Sequence, residues 1–291
     1  MSATAQRKAG AVGPSSRLVL LLEKFRAAHS PRTLNLDGDR WEYITAGGTE
    51  TTLVILPGAG GSAEIMFEIV SALEPRFRVV SIGYPSSVST AEKLILGVRA
   101  ILDANGVEQV FFIGHSLGGL LAQGLTIRHP ERVRGMVLAD TGFYRGPRAW
   151  IMTRAPAYLV TRLAKAQMNR STRNAEAHEF WLEYFSETLS EPEQAMRQRH
   201  QAACLTDLLL FLRQHPIDPN LDWVRSMPVL AITPEGDRSE QKHLRALYPT
   251  STVHEFPRDA GHASFIVRPQ EFSDAIASFV ENVVVKYNGD A

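Results

Sequence analysis

Cysteine is nearly absent from this chain: Cys204 is the only one in 291 residues. That excludes a disulfide within the chain and any cysteine-built metal cluster, and a lone thiol suits a reducing, cytoplasmic setting. Neither sign of charge is in excess. The 31 lysines and arginines balance 31 aspartates and glutamates, so the charge gives no reason to expect a nucleic-acid or anionic-membrane partner. Long hydrophobic runs are missing as well. Leu18–Leu22, after Arg17, is five residues long and ends at Glu23-Lys24, too short for a secretory signal or a membrane span. Positions 18, 21, 22 and 25 instead fit one face of a short amphipathic helix. Internal repeats are absent, and only residues 1–16 are low in complexity, which predicts a disordered tail.

What is present suits a soluble globular protein. Hydrophobic residues make up 44% of the chain and charged ones 21%, enough for a sizeable core. Apolar runs and helical patterns alternate, which predicts a parallel sheet covered on both faces. Thr33–Leu36 and Trp41–Thr45 flank Asp37-Gly38-Asp39, a hairpin signal. Further strands are expected at 52–56, 77–82, 133–139, 227–233 and 252–256. Helices are expected over Ser62–Leu73, from a capping box at Ser89–Glu92 to Gly106, up to about Leu247, and from Pro269 onward.

Residues 109–124 carry the strongest signal. The apolar run Gln109–Ile113 stops at Gly114-His115-Ser116-Leu117-Gly118, and a helical pattern begins at once. This is a G-x-S-x-G corner in its required strand-to-helix setting, the nucleophile elbow. The corner pushes the serine hydroxyl above the sheet edge at the positive end of a helix. The competing reading of Ser116 is an ordinary helix N-cap.

A serine hydroxyl is a poor nucleophile until an imidazole takes its proton and a carboxylate holds that imidazole. In chains with this elbow, the acid and then the histidine follow the serine. His262, in Arg258–Phe265 between the last strand and the last helix, is the base candidate, whereas His115 is expected to point away from the nucleophile. Asp237, in the loop Thr233-Pro234-Glu235-Gly236-Asp237, is the first acid candidate. Asp140, at the end of the strand after the elbow helix, is the alternative acid. Glu235 ranks below both, and Asp259 is too near His262 in sequence to orient it. The oxyanion hole is expected from the N–H of Leu117 and from Ala59, in the glycine-rich loop Leu56-Pro57-Gly58-Ala59-Gly60-Gly61-Ser62. Read as a phosphate loop, that stretch lacks the following Gly-Lys-Thr/Ser, and the dinucleotide glycine spacing is not met.

Gly114–Gly119, the Gly58 loop, Pro228-Val229-Leu230 leading to Asp237, and Ala260-Gly261-His262 together resemble the α/β-hydrolase superfamily from about Thr33 to Val284. The resemblance implies a mostly parallel eight-stranded sheet with an antiparallel second strand. It also implies Ser-His-Asp chemistry through an acyl-enzyme, with no cofactor and no metal. The implied substrate is a small or medium acyl ester, so a carboxylesterase is the leading expectation. C–C bond hydrolysis, lactone opening and perhydrolysis share the triad. Two departures, Pro57-Gly58 for the usual His-Gly and Gly83-Tyr84-Pro85-Ser86-Ser87 for Gly-x-Gly-x-Ser, resemble the maspardin branch, as does Leu117–Gln123. That branch implies a ligand-binding or adaptor role as the other reading; its eukaryotic members lack the histidine, which this chain keeps as His262.

Between Thr141 and Arg225 the alternation stops in a helical segment, expected to be a cap (141–225) inserted into a core of 17–140 and 226–291. Its charge is segregated: seven lysines or arginines lie from Arg145 to Arg173, then six glutamates from Glu176 to Glu193. Either a basic rim for anionic substrates or two complementary solvated faces fits that pattern. Trp150, Tyr158, Trp181, Tyr184 and Phe185 are candidates for lining a pocket or for packing the cap core.

Overall fold

The computed structural model describes residues 14–58, 61–142, 180, 184, 191–236 and 238–289. Its strands are β1 (Arg32–Leu36), β2 (Asp39–Ala46), β3 (Thr52–Leu56), β4 (Arg78–Gly83), β5 (Val110–His115), β6 (Val133–Ala139), β7 (Val229–Pro234) and β8 (Thr252–Phe256). They form one sheet in the order β1-β2-β4-β3-β5-β6-β7-β8. β2 runs antiparallel to β1 and β4, and every other pairing is parallel. This is the sheet that the resemblance implies. Residue character explains the division. β3 and β5 are apolar and buried at nearly every position, as strands covered on both faces must be. β1 leaves much of its length exposed at the sheet edge. Asp37 (φ 51°) and Gly38 (φ 86°) make the two-residue turn between β1 and β2, with both residues at the positive φ that suits the strand twist.

The helices are α1 (Pro14–Ala28), α2 (Phe67–Leu73), α3 (Ala91–Ala104), α4 (Leu117–Arg128), α5 (Glu191–Gln214), α6 (Asp222–Ser226), α7 (Arg238–Leu247), α8 (Ser264–Val267) and α9 (Pro269–Gly289). Alternate strand residues feed two cores. Val54, Leu56 and Phe112 join Leu94, Leu121 and Leu208 under α3, α4 and α5. Leu53, Ile55 and Phe111 join Leu18, Ile69 and Phe272 under α1, α2 and α9. The face expected from Leu18, Leu22 and Phe25 is buried, and so is that of Phe272, Ile276 and Val280. Among the described residues, no helix is long and apolar enough to cross a membrane.

Three helix starts differ from expectation. α1 begins at Pro14, so residues 14–16 belong to a helix and not to the tail. α2 begins at Phe67 and not at Ser62, because Ser62 Oγ takes the Glu64 N–H (3.3 Å) and turn bonds follow from Ile65 to Ser62 and from Phe67 to Glu64. α3 is capped by Thr90, whose hydroxyl accepts from Lys93 N–H, and not by the Ser89 box. Glu92 is engaged by Arg128 instead, and Asp207 of α5 takes the Ala91 N–H at 2.7 Å.

Of the expected cap, α5 packs Cys204, Leu208, Leu209 and Phe211 into the core beside α4, and Trp223 is half-buried against the same core. Phe180 and Tyr184 are buried in the opposite core. Trp150, Tyr158, Trp181, Phe185 and the basic run Arg145–Arg173 lie outside the described residues.

Candidate active site

In the sheet order, β3 lies between β4 and β5. Chain connections therefore leave β3 and β5 in opposite directions and open a crevice at their carboxyl ends, where α/β sheets bind ligands. Two loops reach that crevice, the one after Leu56 and the corner at Ser116.

Ser116 joins β5 directly to α4 with φ 53° and ψ −116°, a conformation that non-glycine residues rarely adopt. Such a residue costs on the order of 1–3 kcal/mol unless its surroundings hold it there. Here they do. The Ser116 N–H donates to Ala139 O (2.9 Å), and its carbonyl accepts from Thr141 Oγ1 (2.7 Å) and Gly119 N–H (3.0 Å). Gly118 has no alternative, since a Cβ there would overlap the Leu56 carbonyl. The Ser116 side chain makes no capping bond to α4, unlike the N-cap serine of the competing reading. Leu117 is the first residue of α4, where backbone N–H groups have no partner within the helix.

The loop after β3 is drawn tight against the corner. A Cβ on Gly58 would come within 2.9 Å of His115 Nδ1 and 3.2 Å of Ser116 Cβ, so only glycine lets the backbone approach this closely. Gly61 N–H closes the turn onto Gly58 O at 3.0 Å. Ala59, the expected second oxyanion donor, lies outside the described residues. Tyr84 grips the loop on both sides, with its N–H on Gly61 O (2.7 Å) and its hydroxyl on Pro57 O (3.0 Å). The two departures noted in the sequence, at Pro57 and at Tyr84, are thus in contact. Burial raises the Tyr84 phenol well above its ordinary value, so it stays protonated as a donor. Beyond the loop, Tyr184 OH lies 2.9 Å from Ser62 Oγ and 3.0 Å from Glu64 Oε1, while Arg26 Nε holds Glu64 Oε2 at 2.8 Å.

His262 sits in the short turn Gly261–Ala263 between β8 and α8. Burial pushes its pKa down to about 4, so the imidazole is neutral at pH 7 and able to accept a proton. His115 Nε2 donates to the His262 carbonyl at 2.9 Å, and the two rings lie 4.9 Å apart. Because a carbonyl only accepts, Nε2 of His115 carries the hydrogen. Burial, with the neighbouring His262, pushes the His115 pKa down to about 3. His115 is thereby directed to the His262 turn, a partner that the corner alone does not reveal. The His262 turn folds over the end of β5 and meets its last side chain.

Asp140 directly follows β6 at φ 48°, with its N–H on Ile232 O at 2.9 Å. Its Oδ2 accepts from Ser264 Oγ at 3.1 Å and lies 3.8 Å from His115 Nε2. One atom each from His115, Asp140 and His262 fall within 4.8 Å of one another. Burial pushes Asp140 up to about 7, partly offset by the Ser264 hydroxyl. Asp237 lies outside the described residues. Its loop is tied to the strand that leads to His262: Glu235 N–H donates to Phe256 O (2.7 Å) and Gly236 N–H to Glu255 Oε1 (3.0 Å). Glu235 is exposed, and Asp259 faces Arg268 at 3.8 Å.

Residues 53–275 match the alpha/beta hydrolase family. A pimeloyl-(acyl-carrier protein) methyl ester esterase from Edwardsiella ictaluri is 27% identical over 260 residues, 82% of this chain and 96% of the esterase. Maspardin from Danio rerio is 29% identical over 178 residues, 55% of each chain. Among solved structures, the enol-lactonase from Burkholderia xenovorans LB400 superposes with a TM-score of 0.64 at 19% identity, over 86% of this chain and 100% of the lactonase. At that identity the likeness concerns the fold alone.

Proposed function

The chain belongs to the alpha/beta hydrolase family, and we propose that it is a serine hydrolase cleaving a small or medium acyl ester. The observation that carries this reading is Ser116, held at φ 53° between β5 and α4 with its side chain left out of helix capping. In the proposed cycle the Ser116 hydroxyl attacks the ester carbonyl, and neutral His262 takes its proton. The N–H groups of Leu117 and Ala59 receive the oxyanion. His262 returns the proton to the departing alcohol, and water then releases the acid from the acyl-enzyme. Asp237 orients His262; its support is that it follows Glu235 and Gly236 in the sequence, which bond to the strand that leads to the histidine. Asp140 is the alternative acid, favoured by the 4.8 Å cluster. The similarity to a methyl ester esterase over most of both chains supports an ester substrate. The segment 141–225 acts as a cap that sets acyl size, and the lone buried Cys204 is consistent with a cytoplasmic location.

A fluorophosphonate probe tests this reading. Wild type is expected to form an adduct that Ser116→Ala lacks; folded wild type without an adduct would overturn it and favour the binding role suggested by the maspardin likeness. Turnover of an ester series by Asp237→Asn and Asp140→Asn identifies the acid. Loss in Asp140→Asn alone would refute Asp237.

A further inference from the structure

Two buried polar groups behind the nucleophile, His115 and Asp140, have no part in the proposed proton path. Each is bonded to the turn that carries His262. His115, the residue before Ser116, donates from Nε2 to the His262 carbonyl at 2.9 Å. Asp140, at the end of the next strand, accepts from the hydroxyl of Ser264, two residues beyond His262, at 3.1 Å. The turn itself is a single short 3-10 step with no side-chain cap, between Ala260 and Ser264. Hydrogen-bond geometry in such a step is poorer than in an α-helix, so bonds from outside weigh more in fixing it.

We infer that His115 and Asp140 form a two-point clamp, a pair of positioning residues that fix the His262 turn against the strand ends bearing Ser116. The His115 bond sets the peptide plane that follows His262 Cα, and so the direction of its side chain. The Ser264 bond stops the turn from lifting at its far end. Both anchors stand at strand ends: β5 ends at His115, and Asp140 directly follows β6. The base is thereby registered to the nucleophile through the backbone. This gives Asp140 a reason to be present even when another carboxylate orients His262. An orienting carboxylate acts through its charge, whereas the clamp needs only an acceptor for Ser264. The inference rests on the serine hydrolase reading, because a clamp on His262 matters to rate only if His262 acts as the base.

The test compares His115→Leu, which loses the donor, with His115→Gln, whose amide reaches the same carbonyl, and with Ser264→Ala. Steady-state kinetics on an acyl ester, fluorophosphonate labelling rates and thermal unfolding are measured for each. His115→Leu and Ser264→Ala are each expected to lower kcat and the labelling rate by about 10- to 100-fold, the scale of a misplacement near 1 Å. KM is expected to stay within about twofold, because the ester contacts other groups. His115→Gln should recover most of the loss. Asp140→Asn, which keeps an acceptor, should lose less than Asp140→Ala. Labelling of His115→Leu at the wild-type rate, or of His115→Gln as slowly as His115→Leu, overturns the clamp and leaves the hydrolase reading intact. If His115→Leu does not fold, an unchanged rate in Ser264→Ala overturns it equally. Wild type that takes no label refutes the hydrolase reading, and the clamp with it.

Discussion

Replacing Ser116 by alanine removes the hydroxyl and keeps the backbone as it is; replacing it by glycine removes the hydroxyl and also relieves the backbone. The difference between the two variants therefore isolates the strain stored at the corner. With φ at 53° and ψ at −116°, Ser116 occupies a region open to glycine and costly to any residue with a Cβ. The relief is about 1–3 kcal/mol. Against it stands the greater freedom of glycine in the unfolded chain, about 0.5–1 kcal/mol. Ser116→Gly is thus expected to be more stable than Ser116→Ala by about 1 kcal/mol, or roughly 2 °C in Tm for a chain of this size. Urea unfolding with a common m value reads the difference directly. Both variants should fail to label with a fluorophosphonate. Ser116→Gly no more stable than Ser116→Ala would show that the corner is not strained, and would remove the physical basis for reading it as an elbow.

Three other outcomes are expected. A Cβ at Gly118 meets the Leu56 carbonyl, and neither backbone can move within the core. Gly118→Ala should therefore lose about 3 kcal/mol or more, visible as a lower Tm or poor soluble yield; an unchanged Tm would contradict the packing. Tyr84→Phe keeps the N–H bond to Gly61 O and loses the hydroxyl bond to Pro57 O. It should cut kcat about tenfold with KM little changed, and a kcat within twofold of wild type would show that the hydroxyl does not position the loop. Asp140 supplies a pH test. Its pKa rises from 3.8 unfolded to about 7 folded, so the folded state binds the extra proton between those values and wild type is penalised as pH rises through them. Asp140→Asn escapes that penalty, and its stability relative to wild type should grow by on the order of 4 kcal/mol from pH 4 to pH 8. His115 and His262, pushed down to about 3 and about 4, destabilise both proteins as pH falls below 6.5. A constant difference across pH would refute the burial of an ionisable Asp140.

Much of the site could be read locally. The apolar run up to Ile113, the glycines around Ser116 and the immediate helical pattern are neighbours in sequence, so the corner between β5 and α4 was legible. The hairpin at Asp37-Gly38 was legible for the same reason. Misreadings arose where a distant partner or a side-chain bond to the backbone intervened. The start of α3 shifted because Asp207, 116 residues away, takes the Ala91 N–H. The early start expected for α2 failed because Ser62 bonds Glu64 N–H, a local bond that hydrophobic periodicity does not register. No local pattern gives His115 a role, because its partner, the His262 carbonyl, lies 147 positions later. The one available signal was a histidine closing a strand that is otherwise apolar apart from Gly114.

The sequence by itself determined the kinds of elements, the alternation that makes a parallel sheet, and the place of Ser116 at a strained corner, because periodicity and turn chemistry act over a few residues. Only the tertiary structure decided that His115, Asp140, His262 and Ser264 form one buried cluster. His115 and Asp140 stand at the ends of β5 and β6, neighbours in the strand order of the sheet, and the chain after β8 folds back past β7 to bring His262 and Ser264 to them. That order is set by burial on both faces at once, which no local stretch encodes.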